Sequence, residues 1–354
     1  MSDRKMPIPT DTNKETGHHA QFDGLRGFAI IFVVLCHCRL LIHGGWIVDG
    51  IFFTLAGFFI INPFKEHYEQ RFGSLWGILK FYKSRLIRIL PAYYMILLGV
   101  YFLFGTYYFS RETFISLLYF GDNWGTLWFM YAYFWIMFII PYILLLHQAL
   151  AKKIKSLNND LVNAVIFLIL GGIVRLVIVI LKIYDLRFDQ LLTGIAAGYL
   201  CRYLRSNAKL KSGIEKHKVT GDIVITLIAV LIVLFSSGTL MEKLGPFWTE
   251  DSVGHRFIYI TGIVMSLLII LLAVFPNGIP ARLLSTKPMV FLGKHCYTIY
   301  LIHIFVMLQL DLRSDFFWFL CTFSVSIVLA YLIDTVISFV IDKCKLLKKE
   351  SAAA

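Results

Sequence analysis

The sequence predicts an all-α fold, a polytopic membrane protein of about ten transmembrane helices in one bundle. Three observations lead there. The 354 residues are 58% hydrophobic and only 16% charged, whereas soluble domains are roughly half apolar and a quarter charged. The apolar residues gather in runs of about 20, the length a helix needs to cross the hydrocarbon layer. The basic residues fall in every second connecting segment, as the positive-inside rule requires of a chain that crosses repeatedly.

The runs lie near residues 27–44, 46–62, 89–105, 126–147, 161–182, 188–204, 221–240, 256–275, 289–310 and 316–341. Lipid cannot satisfy open backbone groups, so the runs are helices. The period-2 alternation of a membrane barrel is absent. The first 22 residues are polar, include His18 and His19, and are expected to form a mobile cytoplasmic tail. The apolar stretch beginning at Phe28 is too long for the core of a cleaved signal. With no internal repeat, residues 23–343 are expected to form one membrane domain, and 344–354 a second cytoplasmic tail.

Orientation follows from charge. With the N-terminus inside, 26 of the 34 Lys and Arg residues fall in inside segments, so both termini are expected to be cytoplasmic. The loops around 64–84, 205–219 and 277–287 should then be inside, and those around 106–122 and 241–255 outside. The expected location is the cell membrane. The net charge of +12 belongs to these segments, where it sets topology and faces anionic membrane lipid, and it gives no ground for nucleic-acid binding. The six cysteines include no C-x-x-C pair. Cys36 and Cys38, two apart, point to different helix faces. Neither a metal site nor a disulfide framework is expected.

Ionisable groups inside membrane helices are costly and mark candidate sites. Here they are Arg26, His37, Asp49, Arg85, Arg88, Arg175, Asp189 and His303. Arg26 and His37 are eleven residues apart. Eleven helical residues turn about 1100°, some 20° beyond three turns, and rise about 16 Å. The two side chains therefore share a face, Arg26 at the cytoplasmic mouth and His37 past mid-membrane. Arg85 and Arg88, three apart, also share a face, and paired guanidinium groups match phosphate oxygens by bidentate hydrogen bonding. Pro91 follows three residues later and loosens the helix there. Plain charge anchoring for the arginines and a packing hydrogen bond for His37 are the alternatives.

The stretch Phe22-Asp-Gly-Leu-Arg-Gly-Phe-Ala-Ile-Ile-Phe-Val-Val-Leu-Cys-His37 resembles the opening of the membrane acyltransferase type-3 family, enzymes that O-acylate surface glycans. Further segments agree in order: Val48-Asp-Gly-Ile-Phe-Phe-Thr-Leu-Ala-Gly-Phe58, Arg85-x-x-Arg88-x-x-Pro91, Thr126-Leu-Trp-Phe129, Phe188-Asp-Gln-Leu-Leu-Thr-Gly194 and Tyr297-Thr-Ile-Tyr-Leu-Ile-His303. Together they span about residues 22–343. The resemblance implies that His37 is the catalytic histidine. It also implies that Arg26, Arg85 and Arg88 bind an acyl-coenzyme A. There are departures. Ala56-Gly57-Phe58 stands where the family often has Ser-Gly-Phe, and His295-Cys296 where it often has Asn-Ser. Asp342-Lys343-Cys344 replaces a common Glu-x-Pro. No soluble C-terminal domain of the kind some members carry is expected, so the chemistry is expected within the membrane domain.

The function this implies is transfer of an acyl group, foremost acetyl, from cytoplasmic acetyl-CoA to a hydroxyl of a surface or lipid-linked saccharide, with no permanently bound cofactor. His37 would act as general base or carry a transient acyl group. Asp49 would orient His37 by accepting its ring proton, or pair with Arg39. Trp128, Tyr300 and His303 would line the cavity. The alternative from another class is a secondary transporter of an anionic solute passing Arg26 and Arg175, against which stands the lack of related halves.

Overall fold

The computed structural model describes residues 19–41, 44–65, 67–121, 124–237, 243, 258–310 and 312–353. Most of the expected N-terminal tail, and the expected outer loop at 241–255 apart from residue 243, lie outside the described residues. Among the described residues there is no strand.

Helix α1 (Ala20–His37) starts inside the expected tail, because Gln21 and Phe22 are already buried against neighbours. It is followed by α2 (Gly44–Ile61), a short 3₁₀ segment at Tyr68–Gly73, and α3 (Leu75–Phe104). The side chain of Ser74 caps α3 by accepting the Gly77 N–H at 3.1 Å. The helix runs on through Pro91, so Arg85 and Arg88 lie well inside it rather than at its start. Then come α4 (Arg111–Leu118), α5 (Trp128–Ala151), α6 (Asp160–Leu181), α7 (Phe188–Ser206), α8 (Ala208–Lys216), α9 (Lys218–Ser236), α10 (Ile258–Val274), α11 (Ile279–Leu284), α12 (Lys287–Leu310) and α13 (Asp315–Ala353). Helix α13 continues past the expected boundary at residue 343. Its Lys-, Leu- and Ala-rich end is made of good helix formers.

Among the described residues, ten helices of 17 residues or more overlap the ten apolar runs, and seven of them, α1, α3, α5, α6, α9, α12 and α13, are long and apolar enough to cross a membrane. Helix α2, described as an apolar stretch over Ile47–Ile61, and α10 are shorter. Helix α7 is the least apolar of the ten and stands in the centre, packed on α2, α6 and α10. The outer faces are oily. Phe102 and Leu103 are each 79% exposed and Ile180 and Phe339 67%, an arrangement that is stable only against lipid.

Contacts between helix ends sort the bundle into a basic end and an opposite end. At the basic end Arg202 donates to both Glu69 oxygens (2.7 and 2.8 Å) and both Asp160 oxygens (2.9 and 2.7 Å), tying the 3₁₀ segment to α6 and α7. At the opposite end Arg187 lies over Trp128 (5.4 Å) and Arg39 over Trp318 (5.7 Å). Helices α1 and α12 touch backbone to backbone. A side chain at Gly293 would collide with the Asp23 carbonyl, and one at Gly194 in α7 with that of Thr54 in α2.

Candidate active site

The close seam between α1 and α12 sets the site. Arg26, nearly two turns into α1, is held by Asp23 of the first turn at 2.5 Å, an i,i+3 pair at the acid-favouring end of a helix. Its guanidinium lies over Phe59 of α2, 5.6 Å from the ring centre. The helix α3 brings Arg85 and Arg88 to the same place. All three arginines line one open cavity of about 830 Å³, with Phe52, Ala56 and Phe59 of α2, Phe129, Met130 and Tyr133 of α5, and Cys296, Tyr297 and Tyr300 of α12. Three cations around one cavity repel one another, and among the described residues Asp23 is the carboxylate paired with Arg26. The surplus positive charge suits a multiply charged anion. Above the arginines the walls are aromatic and aliphatic, which suits a thin, weakly polar chain.

Tyr300 closes the wall at the deep end, and the histidines lie just beyond it. The Tyr300 and His303 rings are 5.7 Å apart. The Nε2 of His303 is 3.3 Å from Nδ1 of His37, with ring centres 5.1 Å apart. His37 is partly buried, and His303 fully so. Of the three residues expected to line the cavity, Tyr300 does. His303 sits behind it, and Trp128 packs against Phe53 and beneath Arg187.

Asp49 is buried on α2. The Nδ1 of His37 is engaged by Val33 O (2.9 Å) and His303, whereas the charges around Asp49 are those of Arg187 and the Tyr300 hydroxyl. Arg39 lies on Trp318 instead. Arg175 and Asp189 face each other at 3.9 Å, both buried, between α6 and α7, outside the cavity.

Sequence reasoning passed over several residues of the site. Asp23 was visible as the i−3 partner of Arg26. Cys296 stands at a departure from the family pattern, next to the Tyr297–His303 segment. Phe52 and Phe129 fall inside segments of the family resemblance, whereas Phe59 and Tyr133 carry no signal that separates a cavity wall from a lipid face. A second cavity of about 800 Å³ between α3 and α5 shares Arg85, Ile89, Met130 and Tyr133 with the first. Nothing in the sequence pointed to it.

The chain is 27% identical to the O-acetyltransferase OatA of Staphylococcus aureus (strain NCTC 8325 / PS 47), over 79% of this chain and 49% of that protein. It is 27% identical to the putative peptidoglycan O-acetyltransferase YrhL of Bacillus subtilis (strain 168), over 82% and 49%. To the peptidoglycan O-acetyltransferase OatA of Listeria monocytogenes the identity is 24%, over 79% and 48%. The chain thus spans about half the length of the curated relatives it matches. No solved structure matches it. The acyltransferase domain family matches residues 19–339, a stretch that holds Arg26, His37, the Arg85–Arg88 pair and His303, and the chain belongs to that family.

Proposed function

We propose that this protein is a membrane O-acetyltransferase that takes an acetyl group from acetyl-CoA on the cytoplasmic side and passes it to a hydroxyl of a glycan on the outer side. The observation that carries this reading is the cavity itself. Three guanidinium groups surround its mouth, and its far wall, Tyr300, stands one turn from the His37–His303 pair. The nucleotide phosphates of the donor fit the arginines, and the pantetheine arm fits the apolar barrel above them. The thioester would then reach His37, which takes the proton from the attacking hydroxyl.

Two of the relatives are named as peptidoglycan O-acetyltransferases, one of them putatively, so glycan strands of that kind are the first acceptors to try. The orientation follows the basic residues: both termini cytoplasmic, with Arg85 and Arg88 on the side where acyl-coenzyme A is made. Labelling with an impermeant thiol reagent in a cysteine-free background checks it. A cysteine at position 245 should react in intact cells and one at 212 should not; the reverse pattern inverts the donor route.

The direct test uses purified protein in lipid nanodiscs with acetyl-CoA and peptidoglycan fragments. Free thiol should appear together with O-acetylated glycan. Donor hydrolysis that is indifferent to any glycan, or none at all with donor bound, rejects the transferase reading. Flux of an anion through the same protein in sealed vesicles would favour a transporter.

A further inference from the structure

His303 is fully buried and the proposed chemistry leaves it without a task. Its two ring nitrogens are both engaged. Nδ1 is 2.6 Å from the Tyr300 carbonyl oxygen and Nε2 is 3.3 Å from Nδ1 of His37. That same Nδ1 of His37 lies 2.9 Å from the Val33 carbonyl oxygen.

Carbonyl oxygens only accept, so the nitrogen facing each of them carries the hydrogen. A neutral imidazole has one N–H and one lone pair. His303 therefore donates from Nδ1 to Tyr300 and presents a lone pair at Nε2. His37 donates from Nδ1, its hydrogen shared between Val33 O and His303 Nε2. The remaining nitrogen, Nε2 of His37, is bare.

We propose that His303 is a positioning residue for His37: its Nε2 accepts from His37 Nδ1–H, fixes the tautomer that leaves His37 Nε2 as the base, and holds the ring while that nitrogen is protonated. This rests on the reading of His37 as general base. In the step itself the acceptor hydroxyl gives its proton to His37 Nε2 as its oxygen bonds to the thioester carbon. The carbon–sulfur bond then breaks, and the leaving thiolate takes the proton back from Nε2. The products are the ester and the free thiol, and His37 returns to its starting tautomer. While His37 is cationic, its Nδ1–H is a stronger donor, and a neutral imidazole meets it. A carboxylate in that place would have to be buried as a charge within the membrane, which is costly. The nearby acid, Asp49, is set against Arg187 instead.

Two neutral substitutions separate positioning from bulk. Gln at 303 carries an amide oxygen to about the place of Nε2, whereas Asn stops near the place of Nδ1. His303→Gln should keep kcat within about tenfold of the parent, and His303→Asn should lose on the order of 10²-fold. The KM for acetyl-CoA should hold in both. Equal damage in the two, or a normal kcat in His303→Asn, overturns the proposal. So does a loss confined to KM.

A second measurement needs no His303 variant to fold. Solid-state 15N spectra of histidine-labelled parent protein, with His37 assigned by subtraction of the His37→Ala spectrum, should show a protonated Nδ1 and a bare Nε2. The opposite tautomer overturns the proposal. The two readings fail separately. A fully active His37→Ala protein removes the base itself, whereas an inactive His37→Ala beside a normal His303→Asn removes only the role of His303.

Discussion

The two ends of the cavity are built on opposite plans. At the basic end, three arginines from two helices line the cavity, and among the described residues Arg26 alone of the three is tied down by an acid. At the deep end, His37 and His303 are held by each other and by two backbone carbonyls, on helices whose backbones touch. The difference separates binding from chemistry. A charged ligand that comes and goes is met by long, adaptable cations whose energy is mostly electrostatic. A proton transfer needs one nitrogen within a few tenths of an ångström, and close-packed rigid elements deliver that.

If that division is right, substitutions at the deep end should move kcat and those at the mouth should move donor affinity. The largest effect is expected at the deep end. His37→Ala should lower kcat by about 10²–10⁴, with donor affinity intact. Acetate release measured at saturating acetyl-CoA checks it, and a near-normal rate would erase the distinction.

At the mouth, Arg85→Gln and Arg88→Gln should each weaken donor binding by about 1.5–3 kcal/mol, roughly tenfold to a hundredfold, with little change in rate at saturation. Lysine at the same positions should restore only part, since an ammonium lacks the bidentate fork. Coenzyme A titration calorimetry reads this directly. Unchanged affinity in the double variant would reduce the pair to membrane anchors.

The backbone contact between α1 and α12 lies at the basic end, where Asp23 holds Arg26. Gly293→Leu forces α12 away from α1, because the new side chain collides with the Asp23 carbonyl. It should cost about 1–3 kcal/mol of stability by overpacking. Donor affinity should fall as well, since the displaced Asp23 holds Arg26 at the mouth. Thermal unfolding in nanodiscs and the same kinetic split measure both effects. The smallest effect concerns Cys296, which lines the cavity with Arg26. In a background that retains only this cysteine, saturating coenzyme A should slow its alkylation by a factor of several. A rate indifferent to coenzyme A would place the donor elsewhere.

Much of this was legible in the chain alone. The hydrophobic runs and their length fixed the ten long helices, because in lipid every backbone polar group must be satisfied within its own segment. The shared face of Arg26 and His37 followed from helical pitch, and the i,i+3 spacing put Arg85 and Arg88 together. Which runs cross the membrane was less legible. Helix α7 scored as a run, yet it is a central helix with Asp189, Gln190 and Thr193 buried, and hydropathy cannot tell a lipid face from a protein face.

Tertiary structure alone decided the rest. That α3 lays its arginine pair beside Arg26 depends on how three helices pack, and no local pattern encodes it. The partner of His37 lies 266 residues away. The nearby Asp49 instead shares its surroundings with Arg187 and Tyr300. The physical reason is one of range. Pitch, hydropathy and charge spacing act within a helix or a loop, so sequence determines the elements and the face each side chain takes. Which faces meet is settled by close packing between elements, and there the small residues of α1 and α12 bring two histidines together.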